Sequence, residues 1–257
     1  TKNSASAARR PAPTAGRGGR WLPSKAPVAR AGEPDHTRPA GSTPTKPDHG
    51  EGFEPTGQQC DPFSFQGLLI PNTSVRLGSH EWQVLAAKGH DPHSIVLFQP
   101  EHRVLISADA LWQNGFGVVF PELEGVDAFE EVSATIDLIE QLAPISVIPG
   151  HGPPFNDVPQ AIARARSRLA SFVSDPEKHR RYALKVLLKF KLLEWQRVTR
   201  CDLSTWCAST SYIRLLASEG TAPDHFPQQL DAIVQPALLD MQKSGALRIE
   251  GDWIVNC

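Results

Sequence analysis

The pattern of apolar and polar positions changes texture twice along the 257-residue chain. Residues 1–60 carry no helical or strand period. Short apolar runs set in from about residue 61. Val75–Leu77 and Trp82–Ala86 read as strands parted by Gly78 and Ser79. Ile95–Phe98 and Arg103–Ser107 read as two more, joined by a tight turn at Gln99-Pro100-Glu101-His102. A loop over 111–125 follows, broken by Gly115, Gly117, Pro121 and Gly125. Asp127, with Glu130 three positions on, predicts a capped helix in which Phe129, Val132, Ile136 and Ile139 share one face. Pro144 closes it, and Ile145–Ile148 is a further strand that runs into Pro149-Gly150-His151. Asp157 caps the next predicted helix, with Ile162, Ala165, Leu169 and Phe172 on one side. Strands and helices alternating in this way predict α/β layers.

After Asp175-Pro176 the pattern turns helical, with runs predicted over 182–200, 205–218 and 228–244. The chain then closes on a small hairpin from Gly245 to Val255. Helices followed by a short terminal hairpin resemble a winged-helix unit. Three regions are therefore expected: a Pro/Gly/Arg-rich segment (1–60), an α/β domain (61–175) and a helical C-terminal domain (176–257).

Composition sharpens the first boundary. Residues 1–60 hold nine Pro and eight Gly, and beyond alanine only Trp21, Leu22, Val28, Phe53 and Cys60 are apolar. Such a stretch buries too little surface to offset its ordering entropy, so disorder is one expectation. Translation of a GC-rich gene out of frame is the other, and a start at Thr1 instead of methionine accords with lost or processed upstream residues. The segment carries nine Lys/Arg against five Asp/Glu, leaving 17 against 23 in residues 61–257. An acidic body argues against nucleic acid as the main partner. Four cysteines without a Cys-x-x-Cys pair predict reduced thiols in a cytoplasmic protein. No apolar run approaches the length of a membrane span, and no apolar core follows the basic N-terminal residues as in a secretory signal.

Three phrases carry the candidate chemistry: Gly89-His90-Asp91-Pro92-His93-Ser94, Ser107-Ala108-Asp109-Ala110-Leu111 and Pro149-Gly150-His151-Gly152. Each sets a metal-capable side chain at a strand end, where rigid strands aim side chains and loops let them converge. Singly, a histidine is more often a surface or satisfied core residue and an aspartate a turn former. The set of three at successive strand ends is what points to a metal.

In this order the phrases resemble the later metal motifs of the metallo-β-lactamase superfamily of zinc hydrolases, over roughly Val75 to Phe172. The resemblance implies a four-layer αββα sandwich, of which this part is the second half, with looser similarity through the helical tail; the helical, winged-helix-like C-terminal domain is expected from the pattern of helices and hairpin alone. It implies up to two zinc ions, with His90 in one site, Asp109 bridging and His151 in the other. A zinc-activated water would attack an ester, thioester, amide or phosphodiester of a small-molecule substrate. His93 is an extra ligand candidate, although the family ligand is the first histidine of the phrase. His80 and His102 read as surface residues of strand and turn. Trp112, Phe116 and Phe120, in the loop after Asp109, are expected to form an apolar wall of the cleft.

The family's earlier motif, His-x-His-x-Asp-His, is absent. Pro34-Asp35-His36 and Pro47-Asp48-His49 mimic its end, but the two upstream histidine positions hold Ala31 and Glu33 in one case and Pro44 and Lys46 in the other. Activity is therefore expected to be impaired, and the uncovered sheet face to invite aggregation or a partner. Two alternatives stand beside the hydrolase: a non-catalytic binding protein that kept the fold, and nucleic-acid binding through Lys185, Lys189, Lys191, Arg197 and Arg200. The bland account of those basic residues is a solvated helix face, with Leu184, Leu187, Leu188, Leu192 and Trp195 turned inward.

Overall fold

The structure, a computed structural model, describes residues 54–57, 67–218 and 226–257. Five strands form one sheet in chain order: β1 (Thr73–Leu77), β2 (His80–Ala86), β3 (Ile95–Gln99), β4 (Val104–Ala108) and β5 (Ser146–Pro149). Neighbours are antiparallel as far as β4, with tight turns joining β1 to β2 and β3 to β4 and a longer loop over 87–94 joining β2 to β3. β5 lies parallel to β4, which requires a crossover. The short helix α1 (Phe120–Leu123) and α2 (Phe129–Leu142) supply it.

One face of this sheet is covered. Val96, Phe98, Leu105 and Val147 pack against Ile136 and Ile139 of α2 and Ala165 and Phe172 of α3 (Val158–Ser174). The other face holds a smaller cluster, Val84 and Ile95 with Leu69, Val75 and Leu97 around them, while Ile148 stays 40% exposed. This is the mixed α/β architecture expected, with one helical layer on one sheet among the described residues.

Local capping differs from the sequence-based expectation. The capping box at Asp127 does not form. α2 starts at Phe129, and Glu122 Oε1 accepts hydrogen bonds from the Ala128 and Phe129 amides at 2.6 and 2.9 Å. Glu122 reaches them because α1 folds the presumed loop back onto the helix start. A carboxylate there also opposes the positive end of the helix dipole. At α3, Asp157 holds the cap position but makes no side-chain capping bond; its carboxylate lies 3.6 Å from Arg164.

The C-terminal part builds its own core. α4 (Pro176–Trp195) starts earlier than the run expected over 182–200 and ends earlier, at Gln196 with φ 63°. Arg197–Thr199 leaves the helix and becomes β6, pairing with β8 (Trp253–Asn256). Helical propensity lost to strand pairing contributed by residues nearly sixty positions away. α5 (Arg200–Ser209), α6 (Ser211–Ser218) and α7 (Phe226–Lys243) follow, then β7 (Leu247–Glu250), so the expected hairpin gains a third strand in the order β6-β8-β7. Leu187, Leu188 and Leu192 meet Leu203, Ile213, Leu238 and Ile254 in this core.

Cys207 is buried there, and burial pushes its thiol up to about 12, while Cys201 and Cys257 are exposed free thiols. Residues 54–57, inside the segment expected to be disordered or out of frame, form a single 3-10 turn. Its Gly57 carbonyl accepts from Lys191 Nζ at 3.1 Å and from Trp206 Nε1. The rest of that segment, with both Pro-Asp-His phrases, lies outside the described residues. Among the described residues no helix is long and apolar enough to cross a membrane.

Candidate metal centre

The three phrases meet at one end of the sheet. His90 follows β2, Asp109 follows β4 and His151 follows β5, so parallel pairing of β4 with β5 brings the last two together. A register shift between Ile106 and Ala108 marks the end of β4, and Ala108 sits in the left-handed region at φ 45°. An L-residue resists that conformation by roughly 1–2 kcal/mol. Ser107 stabilises the turn: its hydroxyl donates to the Leu111 carbonyl at 2.6 Å and its own carbonyl accepts from the Ala110 amide. The Gly150 amide binds the Ala108 carbonyl at 2.8 Å. The strained turn thus delivers the Asp109 carboxylate between the histidines.

Each carboxylate oxygen faces a different imidazole. His90 Nε2 lies 3.3 Å from Asp109 Oδ2, and His151 Nε2 lies 3.6 Å from Oδ1. The Trp112 indole donates to Oδ1 at 3.0 Å. His90 Nδ1 lies 2.5 Å from the Val118 carbonyl, which accepts only, so a proton sits on Nδ1 and Nε2 is the nitrogen that faces the carboxylate. Two glycines are required by close approach. A Cβ on Gly117 would stand 2.8 Å from His90 Nδ1 and 2.9 Å from Asp109 Cβ, and one on Gly150 would stand 2.8 Å from Asp109 Oδ1.

Aromatic rings wall the centre. His151 lies between Trp112, edge-on at 5.1 Å, and Phe190 of α4, stacked at 5.2 Å. Phe120 meets His90 at 5.2 Å. Of the expected wall, Trp112 and Phe120 reach the histidines, whereas Phe116 is buried against Phe172 in the core. The reason is the bridge between Trp112 and Gly115, which folds the loop back and turns Phe116 under it. His93 contributes its backbone amide to Asp91 Oδ1 and its side chain is exposed.

Two supporting residues were not legible as such. Phe190 comes from the C-terminal helices, beyond the three motif phrases. His179 is 2% exposed and accepts the Val119 amide on Nε2 at 3.1 Å, next to the carbonyl that holds His90. Burial, aided by the nearby Arg180 charge, lowers its pKa to about 4. The signal for His179 is its place on the stripe of Ala183 and Leu187, a polar position on an apolar helix face.

Among the described residues, a group of three ligand-type side chains whose donor atoms all lie within 4.8 Å of one another is found elsewhere, at His80, Glu101 and His102. At His90, Asp109 and His151 two imidazoles instead flank the two oxygens of one carboxylate.

Of the basic residues considered for nucleic acid, Lys189 Nζ is bound to the Ala246 carbonyl, Asn256 Oδ1 and the Cys257 carbonyl. Lys191 is buried and pairs with the exposed Glu194, and the Arg197 guanidinium covers the Trp253 ring.

Comparison with known proteins points the same way as the motifs. The family model of the metallo-beta-lactamase superfamily matches residues 18–151, starting well upstream of Val75. No curated protein matches the chain. Solved structures similar to it include a metallo-beta-lactamase family protein from Thermus thermophilus, 18% identical over 80% of this chain and 62% of that one, with a TM-score of 0.37. A beta-lactamase domain protein from Burkholderia ambifaria is 20% identical over 77% of this chain and 54% of that one, with a TM-score of 0.38. The protein TTHA1623, solved in a di-iron-bound form, is 26% identical over 40% of this chain and 50% of that one, with a TM-score of 0.32. This chain therefore spans 50 to 62% of the length of these three.

Proposed function

This chain belongs to the metallo-beta-lactamase superfamily, and from that premise we propose that His90, Asp109 and His151 are the surviving ligands of a zinc hydrolase centre. The observation that carries the reading is the single Asp109 carboxylate with one imidazole Nε2 facing each oxygen. Neutral imidazoles and a carboxylate are a donor set that suits zinc. Bound there, zinc would supply a hydroxide nucleophile near neutral pH and polarise the bond to be hydrolysed.

The chain's own residues orient that chemistry. The Val118 carbonyl sets the His90 tautomer, the Trp112 indole steers Asp109, and Trp112 with Phe190 holds the His151 ring. Trp112 and Phe120 exclude water from one side. The substrate class is a small ester, thioester, amide or phosphodiester. Because the histidines of the first motif are absent, each half-site has one imidazole and a shared carboxylate, and hydrolysis is impaired. The C-terminal part acts on this reading as a winged-helix-like accessory domain that lends Phe190 to the wall.

That same shortage of ligands favours a second reading, a binding protein that keeps the fold without the chemistry. Zinc content of the purified full chain, compared with His90→Ala and His151→Ala, separates the two. Zinc that falls in both variants supports the hydrolase centre. Zinc near zero and equal in all three overturns it.

A further inference from the structure

We infer that His80, Glu101 and His102 form a second divalent metal site, at the end of the sheet opposite the Asp109 centre. Their donor atoms all lie within 4.8 Å of one another. The strand pairing brings them there: the β2–β3 ladder runs to Gln83 opposite Phe98, so the start of β2 at His80 comes up beside the turn that follows β3. His80 opens β2 and Glu101-His102 lies in the β3–β4 turn, so the site straps two hairpins together. A strand's length, about 15 Å, separates this pole from the loop ends that hold His90, Asp109 and His151.

Two observations beyond proximity support a ligand role. First, Gln99 is only 2% exposed, yet its Oε1 is devoted to His102, accepting from the backbone amide at 2.6 Å and lying 3.1 Å from ring Nδ1. An amide oxygen can only accept, so Nδ1 carries the proton and Nε2 is the ring nitrogen left for a ligand role. A buried partner that sets the tautomer of a solvent-facing histidine is the support that metal-ligating imidazoles have. Second, the His80 and His102 rings stand edge to face, 82° apart with centroids at 4.9 Å. Rings at that angle are not stacked on each other, and one ligand-type nitrogen of each lies within 4.8 Å of the other and of a Glu101 carboxylate oxygen.

Two imidazoles and one carboxylate select borderline ions, Zn²⁺, Ni²⁺ or Cu²⁺, over the oxygen-seeking Mg²⁺ and Ca²⁺. The remaining coordination positions face solvent. The ion would act as a clip on the β1–β2 and β3–β4 turns and stabilise this end of the sheet, since binding only the folded form shifts unfolding by mass action.

The test uses the full chain stripped of metal and titrated with Zn²⁺ against a chromophoric chelator, with excess Mg²⁺ present. The His90→Ala/His151→Ala form isolates this pole from the Asp109 centre, so failure there leaves the proposed function untouched. That form is expected to bind one zinc equivalent, and adding His80→Ala/His102→Ala is expected to abolish it. Gln99→Leu should weaken it about tenfold by freeing the ring tautomer. Circular dichroism checks that each variant is folded. His80 and His102 are surface positions whose truncation opens no core. Zinc uptake that is equal with and without His80→Ala/His102→Ala overturns the inference, as does uptake abolished by Mg²⁺.

Discussion

Lowering the pH should destabilise this protein through His179 before its carboxylates titrate. The imidazole is 2% exposed and accepts the Val119 amide on Nε2, so it folds neutral, with a pKa lowered to about 4 from 6.5. The unfolded chain takes up a proton near pH 6.5 that the native state refuses until about pH 4. Stability contributed by this group is therefore complete above the unfolded value and is lost as pH falls through that window. At 1.36 kcal/mol per unit, the loss is about 2 kcal/mol by pH 5 and about 3 kcal/mol by pH 4. Urea unfolding followed by tryptophan fluorescence between pH 7.5 and 4.5 measures it. His179→Gln keeps an acceptor for Val119 and cannot titrate, so its midpoint should decline less steeply than that of the wild type over this range. Equal slopes in the two proteins would refute the reasoning. His179→Leu should cost about 1–3 kcal/mol at every pH, because the Val119 amide is then buried unpaired.

Gly117→Ala should cut zinc uptake at the Asp109 centre while leaving circular dichroism unchanged, since its Cβ would press on both His90 and Asp109; unchanged zinc content in elemental analysis would contradict the packing. Trp112→Phe keeps the ring beside His151 but removes the hydrogen bond to Asp109 Oδ1, so zinc affinity measured by chelator competition should fall by a few-fold without loss of stability. Glu122→Ala uncaps α2 and should lower stability by about 1 kcal/mol in urea titration, whereas Asp127→Ala should be neutral. Leu188→Ala, in the core of the C-terminal helices, should cost about 2–5 kcal/mol by thermal or urea unfolding.

Local pattern in the chain determined the strands from Val75 to Ser107, the two helices that cover the sheet, the terminal hairpin and the three phrases at the strand ends. These depend on periods of two and 3.6 and on breakers such as Gly78, Pro144 and Gly150, which act over a few residues. Tertiary structure decided what those periods cannot encode. Arg197–Thr199 left its helix because β8 offered it a ladder, and Phe116 turned inward because Trp112 paired with Gly115. Phe190 and His179 reached the centre from a helix outside the matched motifs. His80, read singly as a surface residue, met Glu101 and His102 only once the sheet register was known. A side chain's type is written at its own position, but its partners are set by which distant segment buries beside it.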